Sequence, residues 1–564
     1  MSKRIFLPFL LAALVGLSSC SSKLKPFGAD YVKVEPQPLE VVGGKVPVTI
    51  NATFPAKWFN KNATLEVKPV LKYQGGEAWG TMYNFQGEKV AGNGQVIPQK
   101  SGAVVTMKST FDYVPAMQKS ELYLTFEAKV GKKTVSLPDL KIGDGVISTS
   151  ALANAASENP ALGADKFQRI TKDKYDADIM FVIQQAELRA SELKKSELAD
   201  WKGVVKKADG ASNQNVDIEI SAYASPDGGY DLNDKLAAQR EKNTNQYLSK
   251  ELKKENVGAA INAKYTAQDW DGFKELVSKS NLQDKDLVLR VLSMYTDPER
   301  REKEIKNISA VYSKLADEIL PRLRRSRLTA NVETIGKSDQ EISSLASSNP
   351  KALTIEEILY AAALAKTSAE KETIYKKASE LFPNDYRTFN NVGMMAFKNG
   401  NLSEAEALFN KALQISGGKS PEANCNLGLV ALAKGDKTKA AQYFGNAAGA
   451  DALNNAMGVL SLMNGEYSKA VGQFGNTISN NAALAQLLTK DYNKANATLN
   501  AVQNPNATTA YLKAIVAART NNLTGVVSNL KEAVKKDKSL AAKALDDFEF
   551  VKFVTNAEFL NVLR

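Results

Sequence analysis

The chain has 564 residues, 44% hydrophobic and 24% charged, too long for one core and too apolar for wholesale disorder, so two to four domains are expected. It has no histidine and only two cysteines, Cys20 and Cys425, which excludes His-based triads, almost every zinc or non-haem iron site, and a disulfide framework. The formal charge of +11 suits a polyanionic neighbour such as cell-wall polymer or anionic lipid; a merely soluble basic surface is the alternative.

Residues 1–19 read as a signal peptide. Lys3 and Arg4 form a basic start, and Ile5 to Leu17 is a run without charged side chains. At about 1.5 Å per residue that run is too short to cross a hydrocarbon core of about 30 Å. Leu17-Ser18-Ser19-Cys20 resembles the bacterial lipobox, which implies lipidation of Cys20 and a tether over 20–28. Several acyl chains on one residue hold a protein on a bilayer. A plain signal peptide with an incidental cysteine is the alternative. No acidic cluster follows Cys20, which favours the periplasmic face of the outer membrane.

Residues 29–147 are strand-like. Val46, Val48, Ile50, Ala52 and Phe54 alternate with polar or small residues, as do Leu65, Val67, Leu71 and Tyr73, and then Leu122, Leu124, Phe126, Ala128 and Val130. Turn signals such as Gly43-Gly44, Gly75-Gly76 and Gly92-Asn93-Gly94 separate them. The spacing predicts about seven short strands in a β-sandwich, a spacer or docking module. An Ala-, Ser- and Asn-rich stretch over 148–174 reads as a linker.

Residues 175–333 alternate strands and helices: a strand near Ala177–Ile183, a helix over Glu187–Lys207, a strand over Val216–Ser221 and a helix over Asn233–Lys253. Ile218-Glu219-Ile220-Ser221-Ala222-Tyr223-Ala224-Ser225-Pro226-Asp227-Gly228, then Asn233, Leu236 and Arg240, resembles the OmpA-like peptidoglycan-binding domain. The resemblance implies that an Asp and an Arg grip the diaminopimelate of the wall peptide, one fixed anion and one fixed cation on a zwitterionic end. Arg240 and Asn233 stand at the family's positions, but Ser225 occupies that of the Asp, and Ala222 and Tyr223 replace Gly-His. Asp227 is then the candidate anion; the alternatives are a fold that has lost its ligand and Arg240 as a surface helix residue. A helical insertion replaces the usual connection at about 265–322. Arg322, Arg324, Arg325 and Arg327 follow it and lead into the last strand, Leu328–Val332; they could meet phosphates or carboxylates, or form a solvated face.

A second linker is expected over 334–350, then a helical repeat over 351–564. Val392-Gly393, Leu427-Gly428 and Met457-Gly458 align; twelve residues after each glycine come Ala405, Ala440 and Ala470, and four further on Phe409, Phe444 and Phe474. This is similar to the tetratricopeptide repeat, with an aromatic plugging the next helix pair; weaker copies carry Ala495 with Leu499, then Ala514 and Leu530. Six helix pairs and a terminal helix are expected. Asn390, Asn391, Asn426 and Asn455 on first helices could hydrogen-bond an extended backbone; solvated polar positions are the alternative. Cys425 reads as a packed small residue.

The fold class is therefore multidomain: an N-terminal β-sandwich, a central α/β OmpA-like domain with a helical insertion, and a C-terminal α-solenoid of tetratricopeptide type. No GxSxG, Walker A, HExxH or SxxK pattern has a compatible context, so no enzyme, cofactor, metal or nucleic-acid partner is expected. The module order implies an outer-membrane lipoprotein adaptor for other envelope proteins, with peptidoglycan as a further ligand. A periplasmic chaperone-like factor for secreted or outer-membrane clients is the second reading.

Overall fold

The computed structural model describes residues 24–564, apart from 283 and 308, so Cys20 and the expected leader lie outside the described residues. The described residues form two compact units, one comprising 24–164 together with Tyr375–Arg564, the other Asp165–Ile374.

The first unit opens with β-rich structure. A three-stranded antiparallel sheet pairs Lys45–Phe54 with Val32–Glu35 on one side and Ala103–Asp112 on the other. A second sheet is built around Ala63–Tyr73 and Glu121–Val130. Period-2 alternation puts Val46, Val48, Ile50, Ala52 and Phe54 in one core with Leu65, Val67, Leu71, Leu122 and Leu124. The core reaches further toward the N-terminus than the expected tether allows. Leu24 and Phe27 are buried in it, Phe27 lying edge-on to Trp58 with ring centroids 5.1 Å apart.

The C-terminal part of this unit is a stack of helix pairs. Its first helices are α3 (Tyr386–Lys398), α4 (Pro421–Ala433), α5 (Leu453–Met463), α6 (Asn480–Leu488) and α7 (Ala507–Arg519), numbered after two helices of the other unit. Each is followed by a second helix, the last being Leu523–Lys536. The repeat's glycines are explained by close approach: a Cβ on Gly393, Gly428 or Gly458 would lie 2.8, 2.2 or 2.9 Å from the ring of Phe409, Phe444 or Phe474. The aromatic therefore plugs its own helix pair rather than the next. Between the two helices of each pair the backbone turns through positive φ, at Gly400, Gly435 and Gly465 and then at Lys490 and Asn521, so the turn persists where the glycine signature has faded.

The β-rich part docks on this stack. Arg519 donates to both Glu549 carboxylate oxygens at 2.7–3.0 Å, and Thr149 donates to the same carboxylate. Tyr467 donates to Val41 O at 3.2 Å, and Lys437 to Met463 O at 2.6 Å and Gly43 O at 3.4 Å. Residues 148–164, expected to be a linker, are instead seated along the stack; we call them the strap.

The second unit holds a four-stranded sheet of β1 (Ile170–Met180), β2 (Gln214–Tyr223), β3 (Ala260–Thr266) and β4 (Arg325–Ile335), in the order β1-β4-β2-β3. β4 is antiparallel to both neighbours, and β2 and β3 run parallel. Helices α1 (Ser196–Asp209) and α2 (Tyr230–Lys254) cover it, burying Trp201, Val205 and Leu248 against Ile218, Ile220, Leu328 and Ala330. The first strand begins at Ile170, inside the expected linker. The inserted helices between β3 and β4 have their own core, with Phe273, Val277, Val288, Leu315 and Leu323. The expected second linker contains a helix, Asp339–Ser348, closed by a capping box in which Ser338 and Glu341 satisfy each other's backbone N–H.

Replacing Gly428 by alanine should be the most damaging of the three glycine changes, because its Cβ would overlap Phe444 most deeply. Overpacking of this kind costs about 1–3 kcal/mol. The expected readout is a lower midpoint of thermal unfolding for Gly428→Ala than for Gly393→Ala or Gly458→Ala.

Candidate functional site

The strap runs antiparallel to the order of the repeats and is held by asparagine side chains. Asn391 on α3 accepts from Gly163 N–H at 2.8 Å and donates to Gly163 O at 2.9 Å. Asn426 on α4 does the same with Ala161, at 2.6 and 2.8 Å. Asn481 on α6 does it with Asn154, at 2.9 and 2.8 Å. A primary amide offers one acceptor and two donors, so it can close a ring with the N–H and C=O of one extended residue. Asn390 adds a third link, donating to Ala161 O at 3.0 Å while accepting from Asn426 at 2.9 Å. Arg387, paired with Asp385 at 2.7 Å, donates to Ala164 O at 3.1 Å.

All four asparagines are buried, with at most 1% exposure, so the grip is made away from water. Asn390, Asn391 and Asn426 meet an extended backbone, and it is the chain's own. Asn455 does not reach the strap; its amide oxygen accepts from Thr477 at 2.8 Å. Asn481 went unread in the sequence, although a signal was present. Asn391 and Asn426 lie two residues before the small residue of the repeat, and Asn481 lies two before Ala483, itself twelve before Ala495. The third repeat has Ala456 at this position and makes no such bond.

Glu158 is the strap's one buried charge. Burial raises its carboxyl above the ordinary 4.5, against the pull of the Asn481 amide that donates to it at 2.6 Å. Cys425 on α4 is buried and unpaired, and burial pushes its thiol up to about 12, so it packs as an apolar residue.

The residues read as a wall-peptide site lie in the other unit. Arg240 on α2 is fully buried and donates to Gln185 O and Tyr223 O at 2.9 Å and to Val182 O at 3.1 Å. Its guanidinium stacks 4.9 Å from the Phe181 ring, and burial lowers it to about 10. It is neither a surface residue nor a free cation; it ties together the carbonyls of Val182, Gln185 and Tyr223, the last residue of β2. Asn233 donates to Ser225 O at 3.0 Å and Gly228 O at 2.8 Å, fixing the loop after β2. Ser225 donates to Asp227, whose other oxygen accepts from Arg324 at 3.0 Å. The partner of Asp227 is thus one of the clustered arginines, not Arg240. Arg325 pairs with Asp269 at 3.3 Å and Arg327 with Asp178 at 3.3 Å. The inserted helices cover this loop: the space under Pro226, between Trp270, Phe273, Ile305 and Tyr312, is about 10 Å³, room for one water at most.

Two outcomes are expected here. Arg240→Ala should strand three buried carbonyls and destabilise the unit by about 3 kcal/mol or more, read as a lower unfolding midpoint of the full chain. Glu158→Gln should stabilise the chain at neutral pH. A carboxyl raised by folding binds its proton more tightly in the folded state, so its stabilising contribution is complete below 4.5 and is lost as pH climbs through the raised value. Thermal melts from pH 4 to 8 should show that decline in the native chain and a flatter profile in the variant.

Residues 386–418 and 421–452 match the family model of the tetratricopeptide repeat. Among solved structures the chain is similar to a tetratricopeptide repeat protein from Parabacteroides merdae, at 15% identity over 52% of this chain and 99% of that one, with a TM-score of 0.26. It is also similar to the APC/C Cut9–Hcn1 hetero-tetramer, at 14% identity over 65% and 82% with a TM-score of 0.30. A third is YrrB, a TPR protein with an unusual peptide-binding site, at 17% identity over 36% and 99% with a TM-score of 0.20. No curated protein sequence matches the chain. The C-terminal region carries tetratricopeptide repeats on an N-terminal β-rich base.

Proposed function

We propose that the protein is a non-enzymatic adaptor of the cell envelope, held to the outer membrane by lipid on Cys20 and binding partner proteins through its repeat array. The observation that carries this reading is the asparagine ladder: Asn391, Asn426 and Asn481 each bond both backbone groups of one extended residue. That chemistry recognises polypeptide and transforms nothing. The leader and the lipobox-like Leu17–Cys20 supply the anchor in this reading.

Two further points shape it. A holdase for unfolded clients needs an open apolar surface, whereas the strap fills this groove, so the adaptor is favoured over the chaperone. Wall binding through Arg240 is left out, since that guanidinium is spent on carbonyls.

The test is photo-crosslinking in cells, with a benzophenone amino acid placed at exposed array positions such as Ile478 and Leu545. One or two discrete adducts with envelope proteins are expected, and membrane association lost in Cys20→Ala. A smear of many clients would favour the chaperone; no adduct together with unchanged fractionation of Cys20→Ala would sink the proposal.

A further inference from the structure

The ladder holds backbone, and backbone amides are common to every extended polypeptide. At Ala161 and Gly163 the groove selects size, although it also takes the larger Glu158 and Pro160. Ala155, Pro160, Ala161 and Gly163 are buried against the array, whereas Leu162 points outward and is 46% exposed. Gly163 leaves no room for a side chain: a Cβ there would lie 2.9 Å from the Arg387 Cβ and 3.1 Å from its Cα. With small residues at these two points, the strap buries little apolar area there, and its hold comes from amide pairs that another chain would reproduce equally well.

We propose that the strap is a cis ligand that keeps this groove closed to an extended segment of a partner polypeptide. The partner segment carries small residues where the strap has Ala161 and Gly163. The proposal rests on the adaptor reading and names where its partner enters. The strap's advantage is tethering. Ser150 donates to Val41 O at 2.7 Å and Thr149 to Glu549, so its first residues are pinned to the folded base. A segment attached in this way acts at an effective concentration of order millimolar, and a free peptide gripped by the same amides competes poorly until the strap is loosened.

The probe is a fluorescein-labelled synthetic peptide of residues 153–165, titrated into the full chain and read by anisotropy. Weak binding to the native chain is expected, and binding at least tenfold tighter to Gly163→Val, whose strap no longer seats against Arg387. Adding Asn391→Ala and Asn426→Ala to that variant should remove the gain. Equal weak binding to the native and Gly163→Val chains, both melting cooperatively, would overturn the proposal, as would a gain that survives loss of the two asparagines. Should Gly163→Val fail to fold, two protease sites, one between Leu152 and Ala153 and one between Ala164 and Asp165, cut after folding, free the strap from its tether and give the same answer. Uptake of peptide on cutting supports the cis-ligand role, and no uptake refutes it. Discrete partner adducts in cells alongside failed exchange would leave the adaptor standing and reject only this entry point.

Discussion

The first unit depends on one chemical match, a carboxamide against the N–H and C=O of a single extended residue. Buried backbone groups must be paired, and residues 148–164 belong to no sheet apart from the two-residue pairing of Val146–Ile147 that precedes them. Short turns of the strap satisfy some of their amides, such as Ala151 N–H on Ser148 O and Glu158 N–H on Ala155 O, and asparagines at one repeat position on α3, α4 and α6 satisfy those of Gly163, Ala161 and Asn154. The reciprocal holds for the asparagines, whose amides would be costly to bury without the strap. The β-rich base, the strap and the array fall in one compact unit.

The second unit solves a related problem in another way. In its loop after β2 the charged groups are matched internally. Arg240 ties Val182, Tyr223 and Gln185, Arg324 holds Asp227, and the inserted helices close over Pro226. A buried guanidinium with three carbonyl acceptors is a structural fastening, whose value is lost if any partner is removed.

Much of this was legible in the sequence, and the failures share a cause. Period-2 alternation found the strands over Lys45–Phe54 and Glu121–Val130, and the Gly–Ala–Phe spacing found the repeats, because both patterns report apolar burial. The strap has no such period: Ala, Ser, Asn and Gly read as a linker, and its burial comes from hydrogen bonding. Two of the ladder asparagines, Asn391 and Asn426, were read as candidates while Asn481 was not, and whether they faced water or a backbone depended on a segment more than 200 residues away in the chain. Arg240 was found by motif, yet its role turned on Gln185 and Val182, which no local pattern connects to it. The helix Asp339–Ser348 was within reach, since Ser338 and Glu341 spell a capping box.

The burial of Leu24 and Phe27 bears on mechanics at the membrane. If acyl chains sit on Cys20, only residues 21–23 separate them from a residue packed in the β-rich core. The four steps from Cys20 to Leu24 reach at most roughly 14 Å when fully extended. The leash is then too short for the base to wander from the bilayer or turn over freely. With such an anchor, a pull on the array would pass through the base to the lipid with little slack, and the first unit would ride close to the bilayer rather than as a float on a line.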